Sequence, residues 1–405
     1  MSDRTAAGRD TWRLGALYGA YFGFAGIVAP YLPLYFQWRG LTAFEVGVLI
    51  AMGQAMRVVG PNLWGYLADH SVRRTPILRA TAVALLLAFA LLLAPGGFAY
   101  VFGVMVLVNL FQTAQMPIAE ALASASMRGR ADAPTRYGRL RVWGSAAFII
   151  VVLAAGPLFD RFGIEVAVGL GLALLAVLVG ASWQVPEGRP GEHPHERVSV
   201  RQRLREPSVR WYLLSAGLMV AAHGALYAYL SIYLAQLGYS KSAIGVFWVL
   251  SVLLEIAFFA TQGRWFRRFG IYPLLLASFL VAAVRFLLIA ELATVWWVLA
   301  LAQVLHAMTF AVHHSASVLT IQRWFPGQAA ARGQAIYISA AWGVGGTAGS
   351  LMAAYLWTMA GPRWSFGAGS VAALLGAWAV RQARRHDFAF AAPRREVPAT
   401  ERSSE

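Results

Sequence analysis

Twelve apolar runs, parted by short polar loops, set the pattern of this chain. They cover 12–37, 44–68, 75–94, 98–127, 138–160 and 163–184, and then 208–236, 242–265, 270–291, 295–322, 330–359 and 363–383. Each matches or exceeds the roughly 20 residues a helix needs to cross a hydrocarbon layer. The predicted fold is an all-α membrane protein, with twelve transmembrane helices in two six-helix halves. Between the halves, 185–207 is polar and holds Pro186, Gly188, Pro190, Gly191, Pro194 and Pro207, so it reads as a linker. The division is therefore 1–184, linker 185–207, 208–385, and a short disordered tail 386–405.

The two halves repeat at a fixed offset of 198. Tyr31 and Leu32 fall on Tyr229 and Leu230, Tyr35 on Tyr233, Gly40 on Gly238, Gly47 on Gly245 and Gly65 on Gly263. A parallel repeat in an apolar chain implies two matched halves around a pseudo-twofold axis, the build of a solute transporter. Arg57 breaks the repeat by falling on Glu255. Charge inside an apolar segment is costly and tends to be functional. The two residues either meet near the axis, with a pairing that changes between states, or sit in separate structural ion pairs.

Composition agrees with the apolar pattern. Hydrophobic residues make up 59% of the chain and charged ones 13%, against roughly 25% charged in a soluble domain. The net charge of +16 looks like a nucleic-acid signal until the charges are placed. Of 34 basic residues, 28 fall in loops on one side, with only Arg39, Arg161, Lys241 and Arg363 on the other. That is the positive-inside pattern, and it puts both termini and the linker in the cytoplasm. No nucleic-acid partner is expected, and the lipid bilayer is the surrounding partner. Arg4, Arg9 and Arg13 precede an apolar run too long for a signal peptide core, so the first run reads as a retained helix. With no cysteine, disulfides and thiolate metal sites are excluded.

Other functional classes lack support. A polytopic membrane enzyme would need a nucleophile elbow, metal-ligand set or phosphate loop, and none is present. A sensor or scaffold would need a longer linker or tail. No cofactor or metal is expected, and the chain is read as a monomer that is not an enzyme.

Several motifs carry more specific chemistry. Gly65-Tyr-Leu67-Ala68-Asp69 is followed by Arg73-Arg74 in the second loop. This resembles the gating signature of the major facilitator superfamily, although Val72 stands where a second glycine is usual. A carboxylate there can cap a neighbouring helix or pair with an arginine, latching one state. Thr42 and Glu45 form a capping box. Gly343, Gly345, Gly346 and Gly349 permit close helix packing, as surfaces on which the halves slide. Arg285 reads as a snorkelling or structurally paired residue.

Tyr137 to Ser145, Pro117 to Glu120, Leu305-His306 with Val312-His313-His314, and Trp342-Gly343 extend the likeness. Together they resemble the phenylpropionate-permease-like branch of that superfamily, related to the lactose-permease-type proton symporters, over about residues 12–380. The resemblance implies alternating access in a cytoplasmic (inner) membrane and proton symport of a small organic solute. An aromatic carboxylate leads, and sugar or nucleoside symport and drug–proton antiport stay open. It also implies that segments 1, 4, 7 and 10 line the cavity. There lie Tyr18, Tyr21, Glu120, His223, Tyr227, His306 and His313. Glu120 sits at a depth similar to that of the paired histidines on the symmetry-related segment. The expected proton-coupling residues are Arg57, Glu120, Glu255 and His313. The expected cavity residues are Tyr18, Tyr21, His223, Tyr227, His306 and His313, whose rings could pack on an aromatic or sugar-like ligand. A solvated polar wall or plain aromatic core is the alternative for each.

Overall fold

The computed structural model describes residues 2–71, 73–127, 133–187 and 200–387, apart from the side chains of 2–11, Asp69, 133–135 and Gln328. Among these residues there is no strand. The first half comprises α1 (Ser2–Trp38), α2 (Ala43–Asp69), α3 (Thr75–Ala90), α4 (Phe98–Met127), α5 (Ala133–Phe162) and α6 (Ala167–Gln184). The second comprises α7 (Pro207–Gln236), α8 (Lys241–Phe269), α9 (Ile271–Leu292), α10 (Trp296–Trp324), α11 (330–360) and α12 (Pro362–Arg385). Ten of the twelve are long and apolar enough to cross a membrane. The other two, α11 and α12, are diluted by glycine, alanine and serine. Large apolar side chains such as Leu87, Leu93, Val177, Val284 and Leu374 point outward, as a lipid-facing surface requires.

Three helices are not the regular rods that apolar periodicity predicts. In α7 the helix stops at Ala222, turns at His223 and restarts at Gly224. In α10 it breaks after Val304 and rewinds as a π turn over Met308–Val312. A second π turn spans Ser339–Gly345 of α11. π turns of this kind recur at functional sites. Here all three interruptions lie near the middle of their helices and line one pocket.

The halves meet through α2 against α11, α5 against α8, and α1 against the second part of α7. Small residues make this approach possible. A Cβ on Gly343 would strike Val58, and one on Gly346 would press on Gln54. A Cβ on Gly345 or Gly349 would instead strike the backbone of Gly217 or Ala221 on α7. So two of these four glycines face the opposite half and two face their own.

The inter-half contacts run from the start of α2 as far as Val58 and Gly343. Beyond Val58, toward the end of α2 that bears the arginine-rich loop, Asn62, Leu63, Tyr66 and Leu67 are exposed. On α5 the contact lies at Val152, Gly156 and Asp160, while Tyr137, Val142 and Trp143 at the other end are exposed. The halves are thus closed on the face with few positive charges and splayed on the basic face.

Gly65 of the loop signature has open space around it, so no packing contact demands a glycine there. Asp69 ends α2, and its side chain and Val72 lie outside the described residues. The carboxylate that caps the next helix comes from the linker. Glu187 accepts from Arg74 N (2.9 Å), Thr75 N (3.1 Å) and Thr75 Oγ1 (2.6 Å). The linker is therefore docked at both ends, since Val200 and Leu204 also pack on the core. The tail likewise begins ordered, with Asp387 accepting from Trp324 Nε1 at 2.8 Å. The disordered stretch predicted beyond it falls outside the described residues.

Partial burial alone would raise the Glu187 carboxyl, but the hydrogen bonds from Thr75 and Arg74 and the Arg73 charge hold it below its ordinary 4.5. Its capping is therefore present above that pH and fades as pH falls through the lower folded value. Glu187→Gln should lower thermal stability at pH 7 by up to about 1 kcal/mol, reduced by solvent screening. Melting of the purified protein against pH should show the gap from wild type closing in acid; a constant gap would refute the cap.

Candidate functional site

The breaks in α7 and α10 bring polar side chains together inside the second half. His223, at the α7 break, places Nδ1 2.8 Å from Met219 O, which makes Nδ1 the protonated nitrogen. Its Nε2 lies 3.3 Å from Thr309 Oγ1. Arg285 of α9 is fully buried. It donates to Ala302 O at 2.6 Å, a carbonyl near the α10 break, and reaches Gln303 Oε1 and Thr309 Oγ1 at 3.4 Å each. It is thus paired structurally and does not snorkel. Glu255 of α8 meets His306 Nε2 at 3.0 Å.

The π turn also arranges rings. His306, Phe310 and His314 stack, with centroids 5.4 and 6.2 Å apart and planes within 10° and 8°. His313 turns the other way, its Nδ1 3.2 Å from Ser278 Oγ, and its Nε2 is buried without a hydrogen-bond partner. Among the described residues, no group of three or more histidine, aspartate or glutamate side chains could hold a metal.

Facing this cluster is an aromatic pocket lined by His223, Tyr227, Phe310, His313, Tyr337 and Trp342, among others. Trp342 is only partly buried there. Its ring lies 6.0 Å from Phe310 at 76° and 6.2 Å from Tyr227. Tyr227 in turn stacks on His223 at 5.9 Å. The first half closes the arrangement with one cation: the Arg57 guanidinium lies 4.8 Å above the Trp342 ring.

Arg57 and Glu255 therefore share one cavity without forming an ion pair. Glu255 is engaged by His306 and Arg57 by Trp342, and Tyr227 lies within the electrostatic reach of both. Glu120, half-buried on α4, has different company from the histidines of α10. Arg141 of α5 and the hydroxyls of Tyr18 and Tyr137 lie within its electrostatic range. The Tyr18 hydroxyl is buried without a hydrogen-bond partner. Tyr21 lies near Gln112 and Arg57. Arg141 also lies within electrostatic range of His314.

Sequence reasoning passed over Phe310, Tyr337 and Trp342 as cavity residues and gave Arg285 no part in the site. Nothing in their local pattern marks them. A tryptophan beside a glycine reads as packing until an arginine from the other half lies over its ring.

The model of the MFS_1 like family matches residues 11–368. A probable 3-phenylpropionic acid transporter of Escherichia coli (strain K12) is 30% identical over 331 residues, covering 80% of this chain and 86% of the relative. A maltose permease of Geobacillus stearothermophilus is 28% identical over 353 residues, covering 86% of each. Among solved structures, the nucleoside transporter NupG superposes with a TM-score of 0.73 at 15% identity, covering 95% of this chain and 99% of that one. The peptide transporter POT in complex with sulfate superposes at 0.76 and 12% identity, covering 94% of each. At such identities the structural likeness shows a common fold.

Proposed function

The chain belongs to the MFS_1 like family of major facilitator transporters, and on that premise we propose that it takes up a small aromatic monocarboxylate together with a proton. The supporting observation is the guanidinium of Arg57 lying on the ring of Trp342, which lines an aromatic pocket. Among the described residues, no carboxylate contacts Arg57. An incoming carboxylate supplies that charge-assisted partner, while its ring packs among Trp342, Phe310 and Tyr227. The name of the 3-phenylpropionic acid relative points the same way.

Proton coupling is assigned to Glu255 with His306, and to Glu120. Both carboxylates lie at membrane depth beside a second polar group that can share or compensate a charge. Glu120 with Arg141 forms the first half's side of the substrate site. The basic loops are taken as cytoplasmic, so the splayed face opens inward and this is the inward-open state. Rocking of the halves about the cavity then exposes it to the other side.

Counterflow in proteoliposomes tests the substrate class, with 3-phenylpropionate, maltose and a nucleoside in parallel. Exchange of 3-phenylpropionate alone is the expected result. Exchange of maltose or nucleoside in its place would transfer the reading to those solutes.

A further inference from the structure

The face with few positive charges is held shut by one device made twice. The Tyr31 hydroxyl donates to Val152 O at 2.9 Å and reaches Lys241 O, across the halves, at 3.3 Å. The Tyr229 hydroxyl donates to Ala43 O, also across the halves, at 2.7 Å. These residues are partners in the repeat: 31 with 229, and 43 with 241. Each hydroxyl sits in a notch left by a glycine one turn further along. A Cβ on Gly47 would collide with the Tyr229 hydroxyl, and one on Gly245 with that of Tyr31. Each ring is backed by an aromatic from its own half, again at equivalent positions. Tyr31 packs on Phe159 at 4.9 Å, and Tyr229 on Trp357 at 4.5 Å. Both tyrosines are fully buried.

A third contact is one-sided. The first turn of α2 is capped within its own half, by Thr42 and Glu45. At the start of α8 the residue equivalent to Glu45 is Ala243. There Asp160, from the opposite half, accepts from Lys241 N (2.8 Å), Ser242 N (2.9 Å) and Ser242 Oγ (2.5 Å). Its own counterpart, Thr358, bonds only within its helix. Ser240 Oγ accepts from Ala243 N within the same half (3.1 Å). Separation of the halves therefore frees Lys241 N and Ser242 N at the start of α8 and leaves the α2 cap whole.

We propose that Tyr31 and Tyr229, seated in the Gly245 and Gly47 notches, form a crossed lock on this face, with Asp160 as an added latch on the α8 side. Opening the face requires both hydroxyls to leave their notches together. The lock does not depend on which solute is carried.

The chain has no cysteine, so two introduced cysteines carry the only spin labels. Phe162→Cys and Gln236→Cys place them at exposed ends of α5 and α7, one in each half. Electron–electron distance measurements on purified, monodisperse protein without substrate read the opening directly. Each Tyr→Phe change should raise the ratio of long to short distances on the order of five-fold, and the double variant about 25-fold. Gly47→Ala with Gly245→Ala keeps the tyrosines but fills the notches, and should shift the distribution the same way. Asp160→Asn should give a smaller shift in that direction, and Thr358→Val none. Unchanged distances in both double variants would overturn the lock. Because no transport is measured, that result would leave the substrate reading standing, and failed counterflow would leave the lock standing.

Discussion

Replacing Arg57 with glutamine should raise the half-saturating concentration of 3-phenylpropionate by about 10- to 150-fold, with the protein still folded and inserted. The figure follows from the loss of a charge-assisted hydrogen bond, about 1.5–3 kcal/mol, with a tenfold change per 1.4 kcal/mol. Folding should survive because Arg57 is exposed to the cavity and rests on Trp342 without an ion pair. Lysine at this position keeps the charge but loses the planar stacking on the ring, so it should fall between the two. The exchange Arg57→Glu with Glu255→Arg should restore nothing. In this structure each residue has another partner, and the swap would place a carboxylate over Trp342 and a second cation beside Arg285. Initial-rate uptake in proteoliposomes decides the matter. Recovery of uptake in the swapped protein would mean that the two meet directly in another state, and equal affinity in Arg57→Gln would remove Arg57 from substrate binding.

Glu255→Gln should abolish gradient-driven accumulation and spare exchange. A glutamine keeps the size and a hydrogen-bond partner for His306 but can no longer take up a proton at that site. Counterflow needs only the loaded carrier to reorient, whereas accumulation needs the proton to travel with the solute. One proton with one monocarboxylate carries no net charge. Wild-type accumulation should then follow the pH difference, about tenfold per unit, which is 1.4 kcal/mol. A membrane potential alone should drive none, although it is worth about 2.3 kcal/mol per 100 mV for any net charge moved. Accumulation driven by potential alone would reject one-to-one coupling. Loss of exchange together with accumulation in Glu255→Gln would point to a binding role. Glu120→Gln, on the substrate side of the first half, provides the comparison.

Much of this was legible in the residues. The capping box at Thr42 and Glu45 forms where its spacing places it. Gly40 and Gly238 each take up the left-handed turn that their shared position suggests. The residues His306, Thr309, His313, Ser317 and Thr320 form a polar stripe at helical spacing in the sequence, and all five are buried. What the stripe could not reveal is that the helix carrying it is broken and rewound at Met308. It could not reveal either that Arg285, from a neighbouring helix, fills the break. Helix interruptions depend on which neighbours take the freed backbone groups, and those neighbours lie far off in the chain.

The sequence by itself determined the number of helices, their pairing into halves and the asymmetric placing of charge. Each of these follows from local apolar length, repeat spacing and loop composition. Only the tertiary structure decided who meets whom. It set Glu255 on His306, Arg57 on a tryptophan of the opposite half, and two symmetry-related tyrosines in each other's glycine notches. Those contacts join residues tens to hundreds of positions apart. They come from the docking of helices whose relative placement no local pattern encodes.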